Sequence, residues 1–322
     1  MRSCLGRVRL VATSTMRYCA VESHSPATLR LGSTIWHPSP GRPLLMGVVN
    51  ASPESFSDGG RYRGVDAQVA RAEELVTAGA DIIDVGGESG VTGMDPLDPA
   101  VEIDRVVPLI TRLAAAGITV SLDTWKVSVA VAGLEAGAAL LNDVSGLADP
   151  GLVGAAGAHD AGLVVMHTRA RPKHKEFPID EDDDVVADVV AFFHDRLAEA
   201  RGGGAREDGI IVDPGPDFGK TPAQTVQVLR RLGDLEQFGR PILLAVSRKD
   251  FIGVINQERP SRRLAGTLAA IAAGLDAGAS ILRVHDVAEV RAYLKVAAVL
   301  RGELDLAADA RLAADLRREV EQ

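Results

Sequence analysis

Short, continuous apolar runs recur along the chain and alternate with amphipathic segments. The runs predict eight strands, at residues 44–49, 82–85, 118–122, 139–141, 163–166, 210–212, 242–246 and 281–284. Continuous rather than alternating hydrophobicity is typical of parallel strands that are buried on both faces. The intervening segments, such as residues 66–79, repeat apolar side chains at helical spacing. The chain is therefore predicted to alternate between strands and helices.

A glycine precedes five of these strands, in the sequences G-A-D, G-I-T, G-A-A, G-L-V and G-A-S. Glycine commonly ends a helix because it adopts a left-handed backbone conformation without a steric penalty. We interpret each of these glycines as a stop between one helix and the next strand. A further short strand is expected at residues 29–31.

The eight strand and helix units extend over about 260 residues with no change of composition that would mark a linker. They favour an α/β fold, a single (β/α)8 TIM barrel at residues 28–304, and leave an open doubly wound sheet as the alternative. A short N-terminal extension precedes the barrel. Residues 1–27 carry four arginines and no secretory signal, so we expect a disordered tail or a start misassigned ahead of Met16. Residues 305–322 are expected to form a helical tail.

The overall composition excludes several classes of function. The net charge of −9 and the isoelectric point near 5.3 argue against a broad surface for nucleic acid or for an anionic membrane. No stretch is long and apolar enough to span a bilayer. The two cysteines, Cys4 and Cys19, both lie in the N-terminal tail, so no disulfide framework holds the predicted barrel. This cysteine usage suits the reducing cytoplasm.

Polar side chains end or follow every predicted strand. In chain order they are Asn50, Asp84 with Glu88, Asp123, Asn142 with Asp143, His167, Asp213, Ser247 with Arg248 and Lys249, and Arg283 with His285. Any one of them could simply cap the next helix. Because the active site of a TIM barrel lies at the C-terminal ends of its strands, eight polar strand ends together predict a catalytic site.

The predicted site divides by charge. Three strands supply acceptors and an amide that suit a neutral heterocycle such as a pterin or purine edge: Asp123, Asn142 and Asp213. Two strands supply donors that suit a phosphate or pyrophosphate: Lys249, Arg283 and His285. Asn50 offers a neutral oxygen that Mg2+ could use while it bridges pyrophosphate oxygens. The residues alone therefore indicate a polar ring system that carries a pyrophosphate leaving group.

Seven motifs in collinear order resemble those of the dihydropteroate synthase family. They are M-G-V-V-N-A-S-P-E-S-F-S-D-G-G, G-A-D-I-I-D-V-G-G-E-S, S-L-D-T-W-K, L-L-N-D-V-S-G, I-V-D-P-G-P-D-F-G-K-T, A-V-S-R-K-D-F-I-G and I-L-R-V-H-D-V. The resemblance covers residues 29–303. It implies a TIM barrel enzyme, a transferase of folate biosynthesis, that joins 6-hydroxymethyl-7,8-dihydropterin pyrophosphate to p-aminobenzoate and releases pyrophosphate.

The resemblance also assigns roles by position. The pterin ring would be held by Asp123, Asn142, Met166, Asp213, Lys249 and Arg283. The pyrophosphate and its Mg2+ would be held by Asn50, Arg283 and His285, and the catalytic residues would be Lys249, Arg283 and His285. The family usually dimerises through late helices, so the resemblance implies a homodimer.

The motifs depart from the family mainly where p-aminobenzoate is handled. The residues of this second-substrate region are Glu54, Gly90, Val91, Phe218, Ser247 and Asp250. Glu54 replaces the usual Asp, and Gly90 and Val91 replace the usual Thr and Arg. Asp250 replaces a Ser where the carboxylate of p-aminobenzoate docks, and Asp217 stands where Gly is common. Asp250 either repels that carboxylate or caps the following helix and points away.

Two alternatives to the synthase remain open. One is a pterin-binding paralogue in which p-aminobenzoate use is altered or absent. The other is a pterin-dependent methyltransfer domain, which the S-R-K and R-V-H-D motifs disfavour because a methyl carrier has no pyrophosphate to neutralise.

Overall fold

The computed structural model of the protein describes residues 28–51, 64–88, 93, 95–174 and 184–312. Its centre is a closed barrel of eight parallel strands, in which the last strand pairs with the first. The strands, after a hairpin of β1 (Leu29–Leu31) and β2 (Thr34–Trp36), are β3 (Leu44–Asn50), β4 (Ile82–Gly86), β5 (Val120–Asp123), β6 (Leu140–Asp143), β7 (Gly162–Met166), β8 (Ile210–Asp213), β9 (Ile242–Leu244) and β10 (Ala279–Val284). The predicted TIM barrel is confirmed, and the open sheet is wrong.

Nine α-helices surround the barrel in the described ranges. They are α1 (Val65–Thr77), α2 (Pro99–Ala115), α3 (Val127–Glu135), α4 (Gly151–Ala158), α5 (Val185–Gly202), α6 (Pro222–Arg230), α7 (Asp250–Asn256), α8 (Leu264–Asp276) and α9 (Val287–Leu300). Over these same ranges, no helix combines the length and hydropathy of a bilayer span. Residues 305–312 contain no helix, and the rest of the expected C-terminal helical tail lies outside the described residues.

The hairpin of β1 and β2 closes the N-terminal end of the barrel. The pattern predicted β1 but missed β2, of whose three residues two are exposed. Leu29 and Leu31 are buried in a cluster with the barrel-lining side chains Met46, Ile211 and Ile281. Burial of such side chains stabilises the fold by about 2 kcal/mol each. The hairpin thus plugs one end of the barrel and leaves the other end for chemistry.

Four of the five predicted glycine stops behave as expected. Gly79, Gly117, Gly137 and Gly278 each follow a helix with a positive φ. The prediction for Gly162 is wrong, because this glycine is already the first residue of β7. The left-handed position after α4 is taken by Asp160, with φ 57. Asp tolerates this conformation better than most residues, so a glycine stop was not required.

Candidate active site

The polar side chains that follow the strands form a layer at the C-terminal end of the barrel. Parallel pairing aligns Asn50 on β3 with Gly86 on β4. It also aligns Gly86 with Asp123 on β5, and Asp123 with Asn142 on β6. A Cβ atom on Gly86 would lie 3.9 Å from the amide oxygen of Asn50 and 3.7 Å from the Cβ atom of Asp123. Since Gly86 has no side chain, nothing from β4 separates Asn50 from Asp123 in this layer.

Asp84, in the middle of β4, connects β10 and β6, which lie two strands away from β4 on either side of it. Its buried Oδ2 accepts hydrogen bonds from Arg283 Nε at 2.6 Å and from Asn142 Nδ2 at 3.1 Å. Its Oδ1 is buried without a hydrogen-bond partner in the described part of the chain. The sequence analysis placed Asp84 among the polar strand ends but assigned it no ligand, although an acid inside the apolar run I-I-D-V signals a buried partner. Asp84 therefore orients two of the predicted site residues at once.

Arg283 on β10 is shared between two carboxylates. Besides its bond to Asp84, its Nη2 donates to Asp123 Oδ2 at 2.9 Å. Burial opposes the charge on the guanidinium, but the two carboxylates outweigh it and raise the pKa of Arg283. Burial raises the pKa of Asp123 to about 7, with the negative charge of Asp84 adding to it and Arg283 opposing it. The guanidinium is therefore fixed in place and permanently charged.

Asp213 ends β8 and orders the loop that follows it. Its Oδ1 accepts a hydrogen bond from the Gly215 amide at 2.7 Å. Burial raises the pKa of Asp213 to about 6, although that hydrogen bond and the charge of Lys249 oppose the rise. Met166, predicted to pack near the ring, is buried at the end of β7 and pairs in register with Asp213. The loop after β8 is thus anchored beside the polar layer.

The buried side chain of Lys220 holds the loop after β8 together. The sequence predictions missed this residue. It is only 1% exposed, and its Nζ donates to the carbonyls of His167, Gly215 and Phe218 at 3.3, 2.9 and 3.3 Å. Burial lowers the pKa of Lys220 to about 7. Its only signal in the sequence was its place in the motif D-P-G-P-D-F-G-K. The ammonium group ties the ends of β7 and β8 together.

Replacement of Lys220 by methionine should lower the free energy of unfolding by about 3 kcal/mol, because three buried carbonyls lose their donor. Urea denaturation would measure the loss. Lys295→Met, the same change at an exposed position of α9, should stay within about 0.5 kcal/mol of the parent. Equal losses in the two variants would contradict the structural role of the ammonium group.

Lys249, which follows β9, lies against an aromatic ring of the loop after β8. Its Nζ is 4.2 Å from the centroid of the Phe218 ring, a cation–π contact. Burial lowers the pKa of Lys249, and the carboxylates of Asp217 and Asp213 oppose this. A predicted pterin residue and a predicted second-substrate residue are therefore in direct contact.

Ser247 fixes the ring of His285. Its Oγ accepts from the His285 backbone amide at 3.2 Å and lies 3.0 Å from His285 Nδ1. Burial and then the positive charge of Arg283 lower the pKa of His285 to about 4, so the ring is neutral near pH 7. Since the hydroxyl can donate to Nδ1, the ring proton is assigned to Nε2. A neutral imidazole with this tautomer is a hydrogen-bond donor.

The side chain of Asp250 does not cap α7. Its Oδ1 accepts from Arg263 Nη1 at 2.9 Å, and 65% of the side chain is exposed. The backbone amide of Asp250 donates instead to Asp217 Oδ2 at 2.7 Å, and the Phe251 amide donates to the same oxygen at 3.3 Å. The alternative that Asp250 caps the helix is therefore wrong, since Asp217 provides the cap.

His167 is separated from the polar layer. Its Nε2 lies 3.1 Å from Asp188 Oδ2 on α5, and its ring packs edge-on against Phe192. Burial lowers the pKa of His167 to about 4. The ring of His167 therefore packs against α5, while its backbone carbonyl accepts a hydrogen bond from Lys220 Nζ.

Glu88 belongs to a second cluster, in the loops after β4, β5 and β7. Its carboxylate accepts from Lys126 Nζ at 2.7 Å and from Lys173 Nζ at 3.0 Å. Lys126 also contacts buried Glu102 at 2.6 Å. The ends of the β4 loop are therefore held by ion pairs. The predicted residues Glu54, Gly90 and Val91 lie outside the described residues.

A closed barrel with an acid and amide layer beside buried basic side chains defines a pterin-binding type of site. A family model described as pterin binding enzyme matches residues 46–285. The chain is 35% identical over 283 residues to a dihydropteroate synthase of Synechocystis, covering 87% of this chain and 97% of that one. The chain therefore belongs to the dihydropteroate synthase family.

Solved structures agree with this assignment. A Xanthomonas albilineans dihydropteroate synthase with 4-aminobenzoic acid is 38% identical with a TM-score of 0.78, covering 86% of this chain and 99% of that one. A haloarchaeal relative from Haloferax volcanii, named as a probable bifunctional folylpolyglutamate synthase and dihydropteroate synthase, is 41% identical over 266 residues. The match covers 83% of this chain and only 32% of that relative, so the chain spans about a third of its length.

Proposed function

We propose that the chain is a dihydropteroate synthase, which joins 6-hydroxymethyl-7,8-dihydropterin pyrophosphate to p-aminobenzoate. The observation that supports this most is the layer of Asn50, Asp123 and Asn142, with Asp213 on the next strand but one. Relatives from Xanthomonas albilineans were solved with 4-aminobenzoic acid and with 7,8-dihydropteroate. These are the second substrate and the product of the proposed reaction.

The pterin ring would be recognised by acceptors and amides at the barrel mouth. Asp213 and Asp123 would accept N–H groups of the ring as carboxylates, and Asn142 can both donate and accept. The bond from Asn142 Nδ2 to Asp84 fixes the orientation of that amide. Arg283, held by two carboxylates, would lie along the ring. Each donor and acceptor is set before substrate arrives, which reduces the entropic cost of binding.

The leaving group would be neutralised by basic side chains on the last two strands. The reaction breaks the C–O bond between the pterin methylene and pyrophosphate, and forms a C–N bond to the aromatic amine, which then loses a proton. Lys249, Arg283 and the Nε2–H of His285 would stabilise the charge that develops on the departing oxygen. The electron-rich ring would stabilise the positive charge on the methylene carbon.

We propose that Mg2+ arrives with the pyrophosphate. Across the described ranges, no three His, Cys, Asp or Glu side chains gather as a metal cage. Asn50 supplies one neutral oxygen at the end of β3. This fits Mg2+, which keeps several waters and is often bound through substrate phosphates. When bound, the ion would supply further charge neutralisation on the pyrophosphate.

Pyrophosphate release tests the proposed function directly. The purified full chain would be incubated with the pterin pyrophosphate and Mg2+, with and without p-aminobenzoate. Release that depends on p-aminobenzoate supports the synthase. Pterin binding without amine-dependent release would reject it and favour a paralogue with a different second ligand, as the acids at positions 217 and 250 suggest. Recovery of turnover in the double variant Gly90→Thr and Val91→Arg would show a weakened synthase.

The proposed synthase should lose activity as pH falls through the range from about 7 to about 6. The pKa values of Asp123 and Asp213 are raised to about 7 and about 6 by burial. Their carboxylates accept from the ring, and protonation below these pKa values removes an acceptor. The dependence of kcat/KM on pH measures this. Asp123→Asn should lower kcat/KM at all pH values. It should also abolish the part of the decrease in kcat/KM that occurs near pH 7.

We propose that the chain is a homodimer in the cytoplasm. The outer face of α9 exposes Val296 and Leu300, with Leu300 82% exposed, and Leu306 beyond the helix is also exposed. Such side chains favour an apolar contact between copies. Light scattering at micromolar concentration should give twice the chain mass of 33.8 kDa. A measured mass equal to that of one chain would contradict the homodimer. We also propose that residues 28–304 form one functional barrel, and this proposal is independent of the oligomeric state.

A further inference from the structure

Two separate parts of the barrel mouth contribute the side chains of Phe218 and Lys249. Phe218 lies in the loop after β8, and Lys249 is the residue that immediately precedes α7. The Nζ atom of Lys249 is 4.2 Å from the centroid of the Phe218 ring. Because the two residues belong to different βα units, the contact depends on whatever fixes the loop relative to the helix.

The loop after β8 is held on its β7 side by backbone groups. The carbonyl of Phe218 accepts from Lys220 Nζ at 3.3 Å and from the backbone amide of Arg169 at 3.5 Å. Gly219 has φ 61 and packs so closely that a Cβ atom there would lie 2.6 Å from the amide nitrogen of Ala170. The backbone around Phe218 is therefore fixed against the loop after β7.

The start of α7 is held on its opposite side. The backbone amide of Arg248 donates to Thr267 Oγ1 on α8 at 3.1 Å, and its carbonyl accepts from Arg263 Nη1 at 2.8 Å. The Nε atom of Arg248 also donates to Asp286 Oδ2, just before α9, at 3.0 Å. The backbone that leads into Lys249 is therefore fixed to α8 and to the segment after β10.

Asp217 joins these two fixed parts. Its Oδ2 accepts from the backbone amides of Asp250 and Phe251 at 2.7 and 3.3 Å. Its Oδ1 accepts from the hydroxyl of Thr225 on α6 at 3.1 Å, and the same hydroxyl accepts from the Asp217 amide at 3.1 Å. Asp217 has φ 65, a conformation that Asp tolerates better than most residues. We call these four hydrogen bonds the Asp217 clamp.

We infer that Asp217 is a positioning residue, which holds Phe218 and Lys249 together as one preformed surface for the second substrate. It acts through its chain neighbours, since Phe218 follows it directly and the amides that it binds belong to the two residues after Lys249. This inference rests on the proposed function for the substrate and on the clamp for the positioning. A surface that is ordered before the aromatic amine arrives reduces the entropic cost of binding.

Two substitutions at position 217 separate the clamp from other effects. Asp217→Gly removes the carboxylate and relieves the backbone, whereas Asp217→Asn keeps an acceptor oxygen and tolerates the same φ. In pyrophosphate release, Asp217→Gly should raise the KM for p-aminobenzoate at least about tenfold and change the KM for the pterin pyrophosphate less than about threefold. Asp217→Asn should return both values to within about threefold of the parent. A purely structural role would lower the amount of active enzyme without raising one KM alone.

Hydrogen exchange of the Asp250 and Phe251 amides measures the clamp without the reaction. On the full chain, Asp217→Gly should exchange these amides at least about tenfold faster than the parent, and Asp217→Asn should stay within about threefold.

Asp184→Gly is a matched control. Asp184 caps a different helix, α5, and its Oδ1 accepts from the amides of Val186 and Ala187 at 3.1 Å. Loss of this cap should destabilise the protein slightly. It should leave both KM values and the exchange at the start of α7 unchanged.

The two readouts also separate this inference from the proposed function. If the parent turns over and Asp217→Gly keeps the parent's KM for p-aminobenzoate, or raises both KM values equally, the synthase stands and the inference is overturned. If the parent releases no pyrophosphate, the proposed function fails. In that case, faster exchange of the two amides in Asp217→Gly supports the clamp, and unchanged exchange overturns it.

Discussion

Replacement of Arg283 by methionine should lower kcat/KM by about 1000-fold and the free energy of unfolding by about 3 kcal/mol. The variant loses a proposed contact to the leaving group. It also leaves the carboxylates of Asp84 and Asp123 in a partly buried site without the guanidinium that both contact. Removal of one partner from such an ion network is costly because the remaining charges are uncompensated. Steady-state pyrophosphate release and urea denaturation measure the two losses.

Two further variants separate stability from catalysis. Adding Asp84→Asn to Arg283→Met should recover part of the lost stability and none of the activity, because it removes an unpaired charge without restoring the guanidinium. Arg240→Met is the matched control. Arg240 is paired with Glu207 at 2.8 Å and is 18% exposed, compared with 23% for Arg283, but lies before β9 at the other end of the barrel. Loss of activity in this control equal to that of Arg283→Met would contradict a role at the site.

Gly215→Ala should be the most destabilising single substitution considered, with a loss above about 4 kcal/mol. Gly215 has φ 61, and a Cβ atom would lie 1.9 Å from the carbonyl oxygen of His167, so the backbone of the loop must move. That movement would break the bonds that Gly215 makes to Asp213 and Lys220. Urea denaturation and the yield of soluble protein would show the effect.

Gly239→Ala separates steric overlap from backbone strain. Gly239 has φ 60, almost the same as Gly215, but a Cβ atom there would meet nothing within 4 Å. Alanine at this position should cost about 1 kcal/mol, the usual penalty for a left-handed residue with a side chain. If the two alanine variants lose the same free energy of unfolding, overlap with the His167 carbonyl is not the cause of the loss in Gly215→Ala.

The fold could be predicted from the sequence because its signals are local. Each strand is a short apolar run, and most helices end at a glycine, so eight units were visible without any contact information. The strand ends at Asn50, Asp123 and Asn142 were equally visible, because the barrel topology alone brings them into one layer. Among the eight barrel strands only the boundaries shifted, as for the strand predicted at 118–122 and found at Val120–Asp123.

The connections within the site could not be predicted, because they depend on distant pairs. The bond between Arg283 and Asp84 joins residues 199 apart in the chain. The cap from Asp217 to the Asp250 amide spans 33 residues. Both acids were visible in the sequence, one as a strand residue and one as a departure from the family. What they contact depends on where the barrel closes and where α7 begins.

Closure of the barrel has a consequence for synthesis of the chain. The edge of β3 is completed by β10, which pairs Leu44 with Ile281. Until β10 has left the ribosome, β3 presents an unpaired apolar edge, and such edges are prone to pair with other chains. Parallel pairing over so long a separation is also slow. Nascent chains that stop short of β10 should therefore need protection from molecular chaperones, and proteolytic fragments that lack it should aggregate.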